Sequence, residues 1–585
     1  MNLKGNPAIS GTGARAAPRW KALFHYIVVL LIFVTLCARL TFLQAIKRDE
    51  FTEALKGRGL RFVPIPAPRG AIYDRNGNVL ALDETALNVL WIGPRNFVEA
   101  DDQIHNAANI LDIPEAKILN LISDPTIPPY LPVTLKRAVG QSTALYVLAN
   151  RQEFSELDIE SAFQRKYPYG PAAAHAVGYL GEVGQDEIDE SYPAYLSGDL
   201  VGRSGIEKIL DARLRGKPGW REIAVLSPDR TSRLSEEALT GSSVQLTLDI
   251  RLQQLAYEAL EKHRGAVAVA DAQTGEVLTL VSTPSFDPNA FVRDELSDQR
   301  LKYLTAIDYP LINRAIQAAY PPGSTFKIVT GSAALDLGKI NENSIFTCDG
   351  QMPVGDRIFR CWLEGGHGTI TTTQAIAQSC DVSFYQIGLR VGPELIAAYA
   401  SRFGYGRKTG IDLPDERSGK LPSPAWKRAR LHTPWFRGDT LNFSIGQGYL
   451  TATPVQVLQS ILAIADDGRV PQLHLTKRAG DEEYRAPIEK QVTLGEDALR
   501  VMKKALREAV LNGTARGAGI AGATVSGKTG TAEADNRVPY SWFVSWYQKN
   551  GKNYVGVAVA EGGGHGSSTA VPIIRRIWDN IEEGS

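Results

Sequence analysis

The chain has 585 residues, 44% of them hydrophobic and 22% charged, which suits an ordinary globular protein of two or three domains. Lysine plus arginine and aspartate plus glutamate both total 64, so the basic excess of a nucleic-acid binder is missing. Glycine (54) and proline (32) lie close to average usage and imply many turns rather than disorder.

Residues 1–21 carry Lys4, Arg15, Arg19 and Lys21 and no acid. Leu23 to Ala38 is an almost unbroken apolar run, resumed after Arg39 as Leu40-Thr41-Phe42-Leu43. Counted through Leu43 it has about 20 residues, enough to cross roughly 30 Å of hydrocarbon. Arg39 snorkels to the interface, and the basic residues put the N-terminal side in the cytoplasm. No A-x-A cleavage site follows, and Leu36 before Cys37 does not fit a lipoprotein. The run predicts a single-pass signal anchor over 22–45, a cytoplasmic tail over 1–21 and an exported remainder; a buried core helix is the alternative.

A pedestal domain is expected over 46–240. Within it, residues 69–81 (RGAIYDRNGNVLA) read as strand, Asn-Gly turn and strand. Residues 100–165 read as helical stretches broken by proline-rich turns, and the glycines of 165–207 as turns in a mixed, extended domain. His175 is expected to be packed or hydrogen-bonded rather than a ligand. Asp249 is a predicted N-cap of a helix running to Leu260.

From Gly265 the texture changes. Ala266–Asp271 and Val277–Val281 read as strands around a Thr-Gly-Glu turn. Three more strands are predicted near Val525–Thr531, Ser541–Tyr547 and Tyr554–Ala560, with a closing helix at about 571–581 and helices filling 324–470. Residues 241–585 thus predict an antiparallel sheet flanked by helices with a large helical insert, and the chain as a whole is α+β.

Three motifs fall in order inside that region. Pro321-Pro322-Gly323-Ser324-Thr325-Phe326-Lys327 is a turn leading into a helix, with Ser324 and Lys327 three residues apart on one face. Ser379-Cys380-Asp381 precedes a helical stretch, and Lys528-Thr529-Gly530-Thr531 lies on a strand. A serine hydroxyl needs an adjacent base to become a nucleophile, and a lysine whose pKa is lowered serves as one. Lys327 is therefore expected to take the Ser324 proton, Ser379 to relay a proton to the leaving amine, and Lys528 to keep the cleft positive and lower the pKa of Lys327. Thr529 and Thr531 are candidates for a substrate carboxylate, and the backbone N–H groups of Ser324 and Thr531 for an oxyanion hole. Gly530 is expected to let a substrate strand approach.

Together these are the signature of penicillin-binding proteins and β-lactamases. With the anchor, RGAIYDRNG (69–77), GRSGIE (202–207), GGHG (365–368) and NFSIGQGYLTATP (442–454), the chain resembles a class B penicillin-binding protein along nearly its whole length. The Gly-His-Gly, Ser-x-Asp and TGIDLP (409–414) segments are most similar to the elongation-specific penicillin-binding protein 2 branch. The resemblance implies a C-terminal transpeptidase domain of serine β-lactamase-like fold, and D,D-transpeptidase or carboxypeptidase chemistry on stem peptides ending in D-Ala-D-Ala. It also implies acylation of Ser324 by β-lactams, an inner-membrane site with a periplasmic catalytic domain, and the SEDS glycosyltransferase RodA and elongation machinery as partners. A division-specific transpeptidase, and a non-catalytic β-lactam sensor or scaffold, are the alternatives; the intact Ser324, Lys327 and Lys528 argue against the last. Asp381 stands where the wider superfamily has Asn, and an acid near two lysines is expected to pair with one of them. No glutamate-activated deacylating water is evident, which disfavours a lactamase.

Cys348, Cys361, His367 and Cys380 all lie between the first motif and the end of the second. Three thiols and an imidazole are a tetrahedral zinc set, and the resembled branch is associated with structural zinc at these positions. A Cys348–Cys361 disulfide is the competing reading in an oxidising compartment. Trp362, Trp435, Phe436, Trp542 and Trp546 are candidates to line the cleft or fill the core, Ser444 and Gln447 to touch substrate or pack. Glu561–Gly566 is expected to be a mobile loop near the cleft rather than a phosphate site.

Overall fold

The computed structural model describes residues 19–41, 60–93, 101–125, 127, 131–184, 187, 195, 199–224, 232–484, 488–534 and 537–582. The chain divides into two compact units, residues up to Ile65 with Gly219–Glu237, and Pro66–Pro218 with Ala238–Ser585.

In the first unit a helix, Arg19–Thr41, runs through most of the expected anchor. Its side chains are described for 27–36, 38 and 39, and the apolar ones from Ile27 to Val34 are exposed. Among the fully described residues no helix is long and apolar enough to cross a membrane; the fully described part of this one is too short to qualify. The expected tail through residue 18, and 42–59, lie outside the described residues. Leu60–Ile65, Gly219–Ala224 and Ser232–Glu236 form a three-stranded antiparallel sheet with 219–224 in the middle.

The second unit begins with the predicted hairpin, Ile72–Tyr73 against Val79–Trp91. Asp74, fully buried, organises its turn. One carboxylate oxygen accepts the Asn76 and Asn78 N–H groups at 2.8 Å, and the other accepts the Ile250 N–H at 3.2 Å. Leu157–Lys166 pairs with 79–91 over ten residue pairs. This strand departs from the helix-and-turn reading of 100–165. LDIESAFQRK is too polar for a clear two-residue alternation, and its partner strand supplies the order the local sequence lacks.

A buried polar knot joins two of the family-like segments. The Arg69 guanidinium donates to Glu207 Oε2 at 2.7 Å and contacts Asp211 at 2.8 Å, while Arg165 donates to Glu207 Oε1 at 2.8 Å and to Asp83 at 3.1 Å. Glu207 is wholly buried. Burial opposes its charge, but Arg165 and Arg69 overcome that and hold the carboxyl below its ordinary range. Glu207→Ala leaves two buried guanidinium groups short of their anion and is expected to cost about 3–5 kcal/mol in urea unfolding. A loss below about 1 kcal/mol would make the knot a spectator.

The antiparallel sheet near the C-terminus has five strands, labelled β1 (Arg264–Asp271), β2 (Val277–Thr283), β3 (Thr524–Ala534), β4 (Arg537–Lys549) and β5 (Lys552–Glu561). Their order is β2-β1-β5-β4-β3, so β3 is an edge. Alternation sorts β1 between two cores. Val267 and Val269 face α1 (Ile250–Leu260) and the C-terminal helix Ala570–Trp578, while Ala266, Ala268 and Ala270 face the helical insert. Asp249 caps α1 as expected, accepting from the Arg251 and Leu252 N–H groups. The insert supplies α2 (Lys327–Asp336), α3 (Thr372–Ala377), α4 (Asp381–Val391), α5 (Arg437–Ser444), α6 (Pro454–Ala465) and α7 (Glu496–Leu511).

Candidate active site

Ser324 lies in one 3₁₀ turn, Gly323–Phe326, that runs directly into α2. The turn is gripped from two sides. The Gly323 N–H donates to Gly446 O at 2.9 Å. Gly446 has φ +77, and a Cβ there would lie 2.2 Å from Gly323 O, so the contact requires glycine. Phe326, fully buried, stacks on Phe443 of α5 at 5.5 Å. On the sheet side, a Cβ at Gly530 would come within 3.0 Å of Thr325 Cγ2 and 3.1 Å of Pro322 O. The missing side chain at Gly530 thus admits the Ser324 turn.

Lys327, one turn beyond Ser324, is wholly buried and its Nζ is surrounded by acceptors. It donates to Asp381 Oδ1 at 2.7 Å, Ser379 O at 2.8 Å and Ser379 Oγ at 3.3 Å, and lies 5.3 Å from the Phe384 ring centroid. Asp381 therefore pairs with Lys327. Its second oxygen accepts the Trp362 N–H at 3.0 Å. Ser379 sits at φ +57, a left-handed conformation uncommon outside glycine and characteristic of constrained functional positions.

Lys528 on β3 is the second buried lysine, donating to Thr529 O at 3.0 Å. Burial holds its amine well below the ordinary lysine range; the charge of Lys327 adds to the effect and Asp381 opposes it. Thr529 Oγ1 and Thr514 Oγ1 share a hydrogen bond of 2.5 Å. The Thr514 N–H reaches Ala377 O at 3.3 Å, two residues before Ser379, so residue 514 ties the second motif to the third. Among the described residues β3 pairs only with β4, leaving one row of its backbone groups, past Thr531, facing outward.

The expected ligand set converges. The Cys348, Cys361 and Cys380 sulfurs and a His367 ring nitrogen lie within 4.8 Å of one another, and all three thiols are buried and unbridged. His367 Nδ1 is 3.5 Å from Cys361 Sγ and 3.7 Å from Cys348 Sγ, and its buried Nε2 has no hydrogen-bond partner. The Cys361 thiol is pulled down to about 4, chiefly by its hydrogen bond with Cys380, whose own thiol is pushed up by the same contact and by burial.

The remaining candidates separate. Trp542 and Trp546 fill the core, and Ser444 is fully buried with its hydroxyl on Leu441 O. Gln447 is half-buried beside Gly446. Trp435 and Phe436 line a groove of about 380 Å³ with Leu389, Pro393 and Pro424, at the end of α4 far from Ser379. Trp362 is half-exposed near the thiol cluster, its indole on Gln378 O and its ring 5.5 Å from that of His367. His175 is packed, as expected: its Nε2 is 2.9 Å from Pro310 O and burial lowers it to about 4. In the Gly562–Gly566 loop, His565 O accepts from Ser541 Oγ. Sequence reasoning does not single out Gly446, Thr514 or Tyr320. The glycines of the Ser-Ile-Gly-Gln-Gly run (444–448) are a turn signal for the first, and the other two carry none.

The lowered Lys528 amine sets a pH slope. Between its folded value and the ordinary lysine range the unfolded chain binds more protons, so stability rises with pH through that window. Denaturant unfolding of wild type against Lys528→Met is expected to show this rise in the wild type alone, at up to about 1.4 kcal/mol per pH unit; a fall with pH would contradict the assignment.

Two family models match the chain: the penicillin-binding protein transpeptidase domain over residues 265–579, and the penicillin-binding protein dimerisation domain over 64–246. The peptidoglycan D,D-transpeptidase MrdA of Escherichia coli K12 is 32% identical over 477 residues, covering 80% of this chain and 75% of that protein. The complex between penicillin-binding protein 2 and MreC from Helicobacter pylori superposes with TM-score 0.79 at 29% identity, over 90% of this chain and 99% of that one. A structure described as the structural coordination of polymerization and crosslinking by a peptidoglycan synthase complex gives TM-score 0.74 at 30% identity, over 97% and 99%.

Proposed function

The chain belongs to the penicillin-binding protein transpeptidase family, and from that membership we propose that it is a peptidoglycan D,D-transpeptidase that cross-links stem peptides during cell elongation. The observation that carries the reading is the convergence of the Ser324 turn, the Lys327–Ser379–Asp381 cluster and the Lys528 strand. The similarity to MrdA favours elongation over division.

In the reaction, Ser324 Oγ attacks the carbonyl between the two D-alanines of a donor stem peptide, and Lys327, entering the step as the neutral amine, accepts its proton. The N–H groups of Ser324 and Thr531 receive the developing oxyanion. The C–N bond breaks, a proton passes through the Ser379 hydroxyl to the leaving amine, and D-alanine departs. Thr529 and Thr531, beside Lys528 on β3, take the terminal carboxylate. An amine of a second stem peptide then attacks the ester carbonyl, and its proton returns to Ser324 Oγ. Water in place of that amine gives the carboxypeptidase product. A β-lactam acylates Ser324 by opening its ring, and the ester persists.

Cys348, Cys361, Cys380 and His367 are proposed to hold a structural zinc ion. Three buried, unbridged thiols and an imidazole whose Nδ1 faces them suit Zn²⁺. Bound there, the ion would neutralise thiolate charge and fix the loop before Ser379. Residues 22–45 are proposed to anchor the chain in the inner membrane with the catalytic domain periplasmic; the exposed apolar side chains of Ile27–Val34 support that assignment. We assign 46–240 to the pedestal and 241–585 to the transpeptidase domain. The H. pylori relative's complex with MreC and the peptidoglycan synthase structure support elongation-machinery partners, among which a SEDS glycosyltransferase, RodA, is proposed.

Fluorescent penicillin is expected to label the wild type covalently and to leave Ser324→Ala unlabelled; labelling that survives the substitution refutes the nucleophile. Metal analysis of protein purified without chelator is expected to find one zinc per chain, lost in Cys361→Ser. A chain without stoichiometric zinc overturns the metal assignment and leaves the transpeptidase reading intact.

A further inference from the structure

Tyr320 stands four residues before Ser324 and belongs to none of the three motifs. Its backbone bridges Ala452 in both directions, at 2.9 and 2.8 Å. Its ring packs on Tyr540 and Trp542 of β4, with centroids 5.3 and 6.1 Å away. The Trp542 indole in turn donates to Pro321 O at 3.1 Å. The Tyr320 hydroxyl, buried, donates to Glu561 Oε1 at 2.8 Å, at the last residue of β5.

Glu561 is held as firmly as it holds. The same Oε1 accepts from Arg314 Nε at 3.2 Å, and Oε2 pairs with Arg264 Nε at 3.2 Å. Arg314 is almost fully buried and also donates to the carbonyls of Asp308 and Tyr309. The carboxylate is therefore fixed by two guanidinium groups and cannot follow the tyrosine if the tyrosine moves. Trp542 and Tyr540, on which the ring rests, are the register partners of Gly530 and Ala532 on β3. One hydroxyl thus ties the chain entering the nucleophile turn to the sheet whose edge strand carries Lys528.

We propose that Glu561 is a positioning residue for acylation: through the Tyr320 hydroxyl it holds the Ser324 turn at a fixed spacing from β3. Neither side chain touches substrate. In the proposed reaction the substrate carbonyl lies between that turn and the β3 edge, so their spacing sets its distance from Ser324 Oγ. Reactions of this kind lose rate steeply with small misplacement of the attacking atom. The inference rests on Ser324 being the acylated residue.

The test uses the full chain in detergent and resolves penicillin acylation into a noncovalent dissociation constant and a saturating acylation rate. Labelling of wild type and its loss in Ser324→Ala establish the underlying reading in the same assay. Tyr320→Phe keeps the ring and removes only the hydroxyl; it is expected to slow saturating acylation about tenfold while the dissociation constant stays within about twofold. Glu561→Gln, which weakens the anchor on Arg314 and Arg264, is expected to act in the same direction, and the double variant to lose less than the product of the two single losses, because the two share one hydrogen bond. Tyr399→Phe, which loses a partly buried hydrogen bond to Asp336 away from the turn, serves as the control for general loosening. The proposal is overturned by Tyr320→Phe acylating within about twofold of wild type, by additive losses in the double variant, or by an equal slowing in Tyr399→Phe.

Discussion

A buried ammonium must find an anion, and in this chain that requirement places the second motif. Lys327 is wholly buried and Asp381 nearly so, 2.7 Å apart. Such pairs add little net stability, because desolvation offsets most of the attraction, but leaving one partner alone is expensive. What the pair contributes is position. The α2 helix cannot shift against the start of α4 without stranding a charge. The free oxygen of Asp381 holds the Trp362 N–H, next to Cys361, and Asp381 itself follows Cys380. A single carboxylate therefore connects α2, the Ser379 segment and the thiol cluster.

The same device recurs elsewhere in another arrangement. Glu207 sits between Arg69 and Arg165, as Glu561 sits between Arg314 and Arg264. In each case the anion comes from one segment and the cations from distant ones, so the contact records a tertiary arrangement rather than a local preference. Arg69 and Glu207 are 138 residues apart. Each forked guanidinium fixes a direction as well as a distance.

Much of this architecture was legible because short-range rules dictate it. The Asp249 cap, the RGAIYDRNG hairpin and the alternating strands of the C-terminal sheet all follow from local pattern, and the order of the three motifs located the site. What was illegible depends on partners far away in sequence. Leu157–Lys166 reads as polar until 79–91 pairs with it. Which lysine Asp381 would choose depends on the packing of α2 against α4. Gly446 shows its purpose only beside Gly323 O, and Gly530 turns out to admit the Ser324 turn. Tyr320 and Glu561, 241 residues apart, carry no motif at all.

The strand order has a kinetic consequence. β1 pairs with β5 at a sequence distance near the length of the whole insert, and β3 lies at the edge, held to the sheet through β4 alone among the described residues. A chain emerging N-terminus first presents Ser324, Lys327 and the three thiols long before the strand bearing Lys528 exists. Long-range closure of this kind is slow and leaves β1 with an unsatisfied side until the end. Ser324 is thus made early and its setting late: a nascent or truncated chain ending before residue 524 lacks the Gly530 strand against which the Ser324 turn packs.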